Sequence, residues 1–207
     1  MTLITRTRAA AVGLAAAVTL VAGAGPSTAA ADYYQPPTPF SNSFEFEDCD
    51  GAVEGQGSNR GIESLRNVPG SDGQAFLLTS AFTFQVQLTN KNTGRSVTER
   101  GQRLIREVSG ERVADADVDA VVGEDVDFIG PVYRFVVRES GNFSTIRDAT
   151  GKVLLSERGF VEYEQIFDTL GDSQPGGEVL AETVLREQGQ FAPEGFDFCQ
   201  FVLNATS

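Results

Sequence analysis

Between Phe82 and Thr89 the chain alternates strictly. Phe82, Phe84, Val86 and Leu88 are apolar, and Thr83, Gln85, Gln87 and Thr89 between them are polar. A period of two places one set on each face of a β-strand. Asn90-Lys91-Asn92-Thr93-Gly94 follows, with Asn residues that suit tight turns and a Gly that tolerates positive φ. Arg95 to Thr98 can then return as the partner strand, so the stretch predicts a hairpin. A second one follows. Tyr133, Phe135 and Val137 share one face, and Val132, Arg134, Val136 and Arg138 the other. Phe143 to Arg147 leads to the turn Asp148-Ala149-Thr150-Gly151-Lys152, and Val153-Leu154-Leu155 returns. Both turns carry Thr-Gly followed by a basic residue, and both hairpins carry Glu-Arg-Gly, at 99–101 and 157–159. Shared turn chemistry accounts for the echo without invoking duplication.

The remaining segments read as further strands. Phe40 to Glu47 has Phe40, Phe44 and Phe46 in phase. Ala52 to Leu65 is interrupted by Gly55, Gly57 and Gly61, as in a bent strand. A turn cluster at 69–73 precedes a short apolar run from Ala75 to Ser80. Gln102 to Val113 fits neither period cleanly and leans to strand. Phe160 to Asp168 is a strand, Thr169 to Gly177 a loop, and Val179 to Gln188 is open between helix and strand. Phe196 to Leu203 reads as the last strand. The class is therefore all-β, as a closed antiparallel barrel (lipocalin-like or similar) with a two-sheet sandwich as the alternative.

The N-terminus departs from this pattern. Arg6 and Arg8 precede an uncharged apolar run, Ala9 to Ala24, and small residues end it at Ala31. That is the pattern of a secretory signal peptide spanning 1–31, cleaved before Asp32. The alternative, an uncleaved anchor, suits the short run less well. Residues 32–39 carry three prolines and read as a loose extended arm, and 40–207 as one domain. After cleavage no other stretch would span a membrane. The 1–31 segment holds two of the 16 basic residues and none of the 29 acids, which leaves fourteen against 29, a net of −15. Such a surface argues against nucleic acid as a partner.

There is no His and no Trp in the chain. Ser-His-Asp and Cys-His catalysis and His-ligated metal centres are therefore excluded. The two cysteines, Cys49 and Cys199, form an even pair in a chain read as exported, and a disulfide is the expectation. Closing a loop of roughly 150 residues is worth about 5 kcal/mol at best on the chain-entropy account. On the strand reading above, the bond would tie the first strand to the last, which favours barrel closure.

Asp115, Asp117 and Asp119 open like a calcium loop. However, Ala120 stands where such a loop needs Gly, and Val126 where it needs Glu. A weak Ca²⁺ site on these three is the only cofactor candidate, and a solvated acidic loop is the preferred reading. Glu162 and Glu164 share a strand face and are the carboxylates to inspect for glycosidase-type chemistry. The apolar set Phe44, Phe82, Phe84, Val86, Tyr133 and Phe135 would line the interior. It would hold either a small apolar ligand or a dry core.

The layout resembles that of short, uncharacterised secreted proteins of high-GC Gram-positive bacteria (actinobacteria). The resemblance rests on the Ala-rich leader ending at Ala31, Phe44-Glu45-Phe46-Glu47-Asp48-Cys49-Asp50, Val86-Gln87-Leu88-Thr89-Asn90 with Gly94, and Phe196-Asp197-Phe198-Cys199. It implies an exported, barrel-like β-fold and supplies no catalytic residues. The expectation for function is non-enzymatic binding of a small apolar ligand. The alternatives are an extracellular structural or protein-interaction module and, behind it, a carboxylate-dependent enzyme.

Overall fold

The computed structural model describes residues 33–123 and 126–207. The predicted signal peptide lies outside the described residues. Seven strands run in chain order: β1 (Tyr33–Asp48), β2 (Val53–Asn67), β3 (Phe76–Asn90), β4 (Ser96–Arg112), β5 (Val132–Arg147), β6 (Val153–Asp168) and β7 (Glu178–Gln190). Between β4 and β5 a single 3₁₀ turn, Asp115–Asp117, leads into the short helix α1 (Val118–Val122). The chain ends with α2 (Phe198–Ala205). All seven strands belong to one antiparallel sheet in the order β1-β2-β3-β4-β5-β6-β7, so each strand pairs with its neighbours in sequence.

Both predicted hairpins form, and their turns share one device. Asn90 N–H donates to the Arg95 carbonyl at 2.9 Å, and the Asn90 side chain accepts from Asn92 N–H. Asp148 does the same with the Lys152 carbonyl and Thr150 N–H. Gly94 (φ +69°) and Gly151 (φ +86°) supply the left-handed step. Similar turn chemistry, in loops that differ by one residue in length, accounts for the sequence echo.

The alternation sorts residues onto two faces. Leu88 stands opposite Val97, Val86 opposite Glu99, Phe84 opposite Gly101 and Phe82 opposite Arg103. We call this the inner face, because two cores lie on it. In the first, Val53, Val86, Leu88, Val97, Ile146 and Val202 are buried, with Phe44, Phe46, Leu155 and α2 residues packed around them. Side chains of β1 to β6 and of α2 meet in this core, so the helix covers this end of the sheet. In the second, Tyr133, Phe135 and Val137 meet Val68, Ala75 and Leu77. The opposite face of β5 and β6 carries a third core, in which Val132 and Ile166 are covered by Val118 of α1 and Val113.

Several inner-face glycines stand opposite aromatic rings: Gly57 opposite Phe44, Gly55 opposite Phe46, and Gly101 opposite Phe84. A Cβ on Gly57 would lie 2.8 Å from the Phe44 ring, below any normal contact. Each ring lies over a missing side chain, which lets a large residue lie flat on a curved sheet.

Three expectations are corrected. The sheet is not closed into a barrel: β1 and β7 are its two edges and do not pair with each other. The architecture is an open β-fold, to which the sandwich is the nearer of the two expected forms. The segment 196–203, expected as the last strand, is helical from Phe198 onward. Phe198, Phe201, Val202 and Ala205 recur at helical spacing, and the Asp197 carboxylate caps the helix by accepting Gln200 N–H at 2.8 Å. Local capping and the 3.6 period override the Phe-rich, strand-like composition. The Pro-rich arm is also not loose. Residues 33–39 begin β1 and pair with β2 from Tyr33↔Arg66 to Pro39↔Ile62, with register shifts around Pro36 and Pro37. Prolines suit this edge position, where no ladder donor is required. The ambiguous segment after Gly177 resolves as the edge strand β7.

Candidate functional site

The Cys49–Cys199 disulfide is formed, with the two Cα atoms 5.3 Å apart. Cys49 lies in the β1–β2 turn at φ +56°, and Cys199 lies in α2. The bond thus pins the helix against the end of the sheet and does not join first and last strands, so its bearing on barrel closure disappears. Asp48 lies beside the two sulfurs, and these three residues form the only close metal-ligand group among the described residues. The sulfurs are bonded to each other and offer no thiolate.

Asp115, Asp117 and Asp119 are exposed around the 3₁₀ turn and α1, and they do not converge into a ligand set. Asp115 instead pairs with Arg112 at 3.4 Å. Glu162 and Glu164 lie on the outer face and each pairs with an arginine of β5: Glu162 with Arg138 directly opposite, and Glu164, opposite Val136, diagonally with Arg134 at 3.5 Å. Cross-strand ion pairs to β5 engage both acids.

The six aromatic and aliphatic candidates share the inner face but divide between two cores. Phe44, Phe84 and Val86 belong to the first, and Tyr133 and Phe135 to the second. Phe82 lies between them, partly buried. Its ring centroid is 6.4 Å from that of Phe40 and 6.4 Å from that of Phe84. A row of three partly buried phenyl rings therefore crosses β1 and β3 in the middle of the inner face. Two depressions of the surface lie elsewhere. One of about 490 Å³ is open between Ser43, Phe44, Glu45, Gln56 and Gly57, and the other of about 160 Å³ is beside Arg112 and Arg134.

The phenyl row ends on a polar group that the hydropathy pattern does not reveal. Arg103 of β4 stands opposite Phe82, and its guanidinium lies 5.5 Å from the centroids of both Phe84 and Phe143. At that range a cation is held by both ring faces. The same guanidinium contacts Glu139 at 3.2 Å and donates to the Phe143 carbonyl at 3.4 Å. Farther along the inner face stand Glu107, opposite Val137, and Tyr163, also opposite Val137 from the other side. Burial pushes the Glu107 carboxyl up to about 7, against the pull of the Leu78 N–H it accepts. Burial also raises Glu139, with Arg103 opposing. Tyr163 is raised by burial first and then by the carboxylates of Glu139, Glu182 and Glu107. The site thus combines one matched cation, an excess of acids and an aromatic floor.

Two buried heteroatoms beside this floor have no hydrogen-bond partner: Arg103 Nε and Asn59 Oδ1. Asn59 is 5% exposed and stands directly opposite Phe84. Elsewhere the buried acids are engaged. Glu157 accepts Ala192 N–H at 2.9 Å, and Asp168 accepts the amides of Ile129, Gly130 and Leu170 at 2.7–2.9 Å. Comparison with known protein families, with curated proteins and with solved structures gives no match for this chain.

Proposed function

We propose that this chain is an exported, non-enzymatic binding module that takes a small, largely apolar ligand on the inner face of its sheet. The observation that carries the reading is the Phe40–Phe82–Phe84 row, whose rings are only partly buried and which runs out from the first core across the middle of the inner face. Aromatic area that is not fully covered gains from burial against an apolar partner. The disulfide agrees with an oxidising compartment, and no described helix is long and apolar enough to cross a membrane.

Native mass spectrometry of the protein from its own host tests the reading. A retained small-molecule mass that leaves on denaturation supports it. A bare chain, together with no uptake of apolar probes, overturns it.

The alternative, a protein-interaction module, draws on β7. This edge strand exposes Val179, Val184 and Leu185, and unlike β1 it has no proline. Such an edge favours strand addition by a partner. Co-purification of a stoichiometric protein that leaves when Val184 is replaced by Lys would favour this reading over the first.

A further inference from the structure

The two ends of the sheet differ in charge. In this antiparallel meander the β2–β3, β4–β5 and β6–β7 connections, at 68–75, 113–131 and 169–177, share one end. Every charged residue in those three segments is acidic, whereas both lysines of the chain, Lys91 and Lys152, lie in turns at the other end. At the acidic end two connections are locked together. Asp168 accepts the amides of Ile129, Gly130 and Leu170, and Thr169 donates to the Pro131 carbonyl through both its N–H and its hydroxyl. Gly130 lies so close to Leu170 and Gly171 that a Cβ on it would run into their backbone. The result is a preformed double tip. Ile129 on it is 83% exposed, more than any other large apolar residue among those described. Leu170 beside it is 39% exposed and is held at φ +57°, a conformation that costs a leucine free energy. Asp127 and Asp172, each two residues from one of these side chains, are exposed as well.

We infer that this tip is a docking element for a basic segment of another protein, one that carries leucine-like side chains among lysines or arginines. Ile129 and Leu170 meet the apolar side chains, and the carboxylates of Asp127 and Asp172 meet the cations. That is the layout of protein interfaces, an apolar centre within a polar rim of complementary charge. Because the two connections already hold each other, little freedom is lost when the tip is covered. Other occupants fit less well. A second copy seated tip to tip would set acid against acid. An anionic lipid surface is repelled by every charged residue of these three connections. A small molecule needs a cavity, and neither depression described above is lined by these residues. The tip is separate from the inner face, so the inference goes beyond the apolar-ligand reading and does not depend on it.

NMR titration of the disulfide-intact mature chain with three short peptides of equal length tests this: alternating Lys and Leu, alternating Lys and Ser, and alternating Glu and Leu. The Lys–Leu peptide is expected to bind at least about tenfold tighter than either of the others. It should shift the amides of Ile129, Gly130 and Leu170 most, and its affinity should fall as salt rises. Ile129→Ser, at a side chain with little packing to lose, should leave the thermal midpoint unchanged and weaken the Lys–Leu peptide about tenfold or more. Leu170→Asn removes the second apolar group, and Asn tolerates positive φ, so it should also weaken binding without unfolding the tip. Val184→Ser, on the exposed edge of β7, should change nothing. No binding of the Lys–Leu peptide, equal binding of the Lys–Ser peptide, shifts centred elsewhere, or an affinity indifferent to both tip variants overturns the inference. Binding to phosphatidylcholine vesicles that Ile129→Ser abolishes overturns it in favour of a lipid surface. Dimerisation that the same variant abolishes overturns it in favour of a second copy. Uptake of apolar probes by the inner face is a separate measurement, and none of these outcomes decides it.

Discussion

Glu107 accepts the backbone amide of Leu78 at 2.5 Å, one residue beyond the last β3–β4 pair, Thr79↔Arg106. A side chain here supplies the acceptor that the departing strand no longer offers. Burial raises its carboxyl to about 7 from 4.5. Between those values the folded state keeps a proton that the unfolded chain has released. The stabilisation is therefore complete below about pH 4.5 and lost as pH rises through 7. Glu107→Gln keeps an acceptor and removes the titration. Urea midpoints at pH 4 and pH 8 should show the variant close to wild type at the lower pH and about 2 kcal/mol more stable at the higher. An equal offset at both pH values would refute this.

Arg103 and Glu139 are coupled through a partly buried contact between two aromatic rings. Removing one partner strands the other. Arg103→Met and Glu139→Leu should each destabilise by about 1–3 kcal/mol, and the double variant should cost less than their sum by about 1 kcal/mol or more. Additive losses in a denaturation cycle would show that the contact contributes nothing of its own.

Asp168 organises two loops. Its carboxylate receives three backbone amides, from Ile129, Gly130 and Leu170. Asp168→Ala should cost about 2–4 kcal/mol. It should also speed hydrogen exchange at those three amides more than in the β3–β4 hairpin. Uniform acceleration across the sheet would point to a global effect instead.

The disulfide spans 150 residues and fixes α2 to the β1–β2 turn. Cys49→Ser with Cys199→Ser should lower stability by about 2–5 kcal/mol. Reductant should shift the wild-type midpoint by a similar amount and leave the double variant unmoved. Insensitivity of the wild-type midpoint to reductant would remove the bond from the stability account.

Strand periodicity was most legible where one face is apolar throughout, as in Phe82 to Leu88 and Tyr133 to Val137. It failed where the inner face turns polar. Along β4 the inward positions are Val97, Glu99, Gly101, Arg103, Ile105 and Glu107. Charges on the buried side blur the alternation from Gln102 onward, and that blur is the trace of the candidate site. The aromatic side of the site was visible in Phe82 and Phe84. Arg103 and Asn59 were not, because nothing in sequence distinguishes an inward arginine or asparagine from a solvated one. The terminal helix was missed for a different reason. Its Phe-rich opening, Phe196-Asp197-Phe198, mimics strand alternation, and the cap on Asp197 acts over only one turn. Closure into a barrel was inferred from the cysteines and depended on reading Cys199 as part of a strand.

The placement of α2 bears on the order in which the molecule can be completed. Every ladder joins strands adjacent in sequence, so the sheet can grow one hairpin at a time as the chain is made. The first core cannot be sealed that way. Val53, Leu88, Val97 and Ile146 stay without their cover until Val202 of α2, which follows the seventh strand, arrives. A helix made only after all seven strands is thus the keystone of the oldest part of the sheet, and a chain interrupted near Gln190 would hold all seven strands and still lack a finished interior.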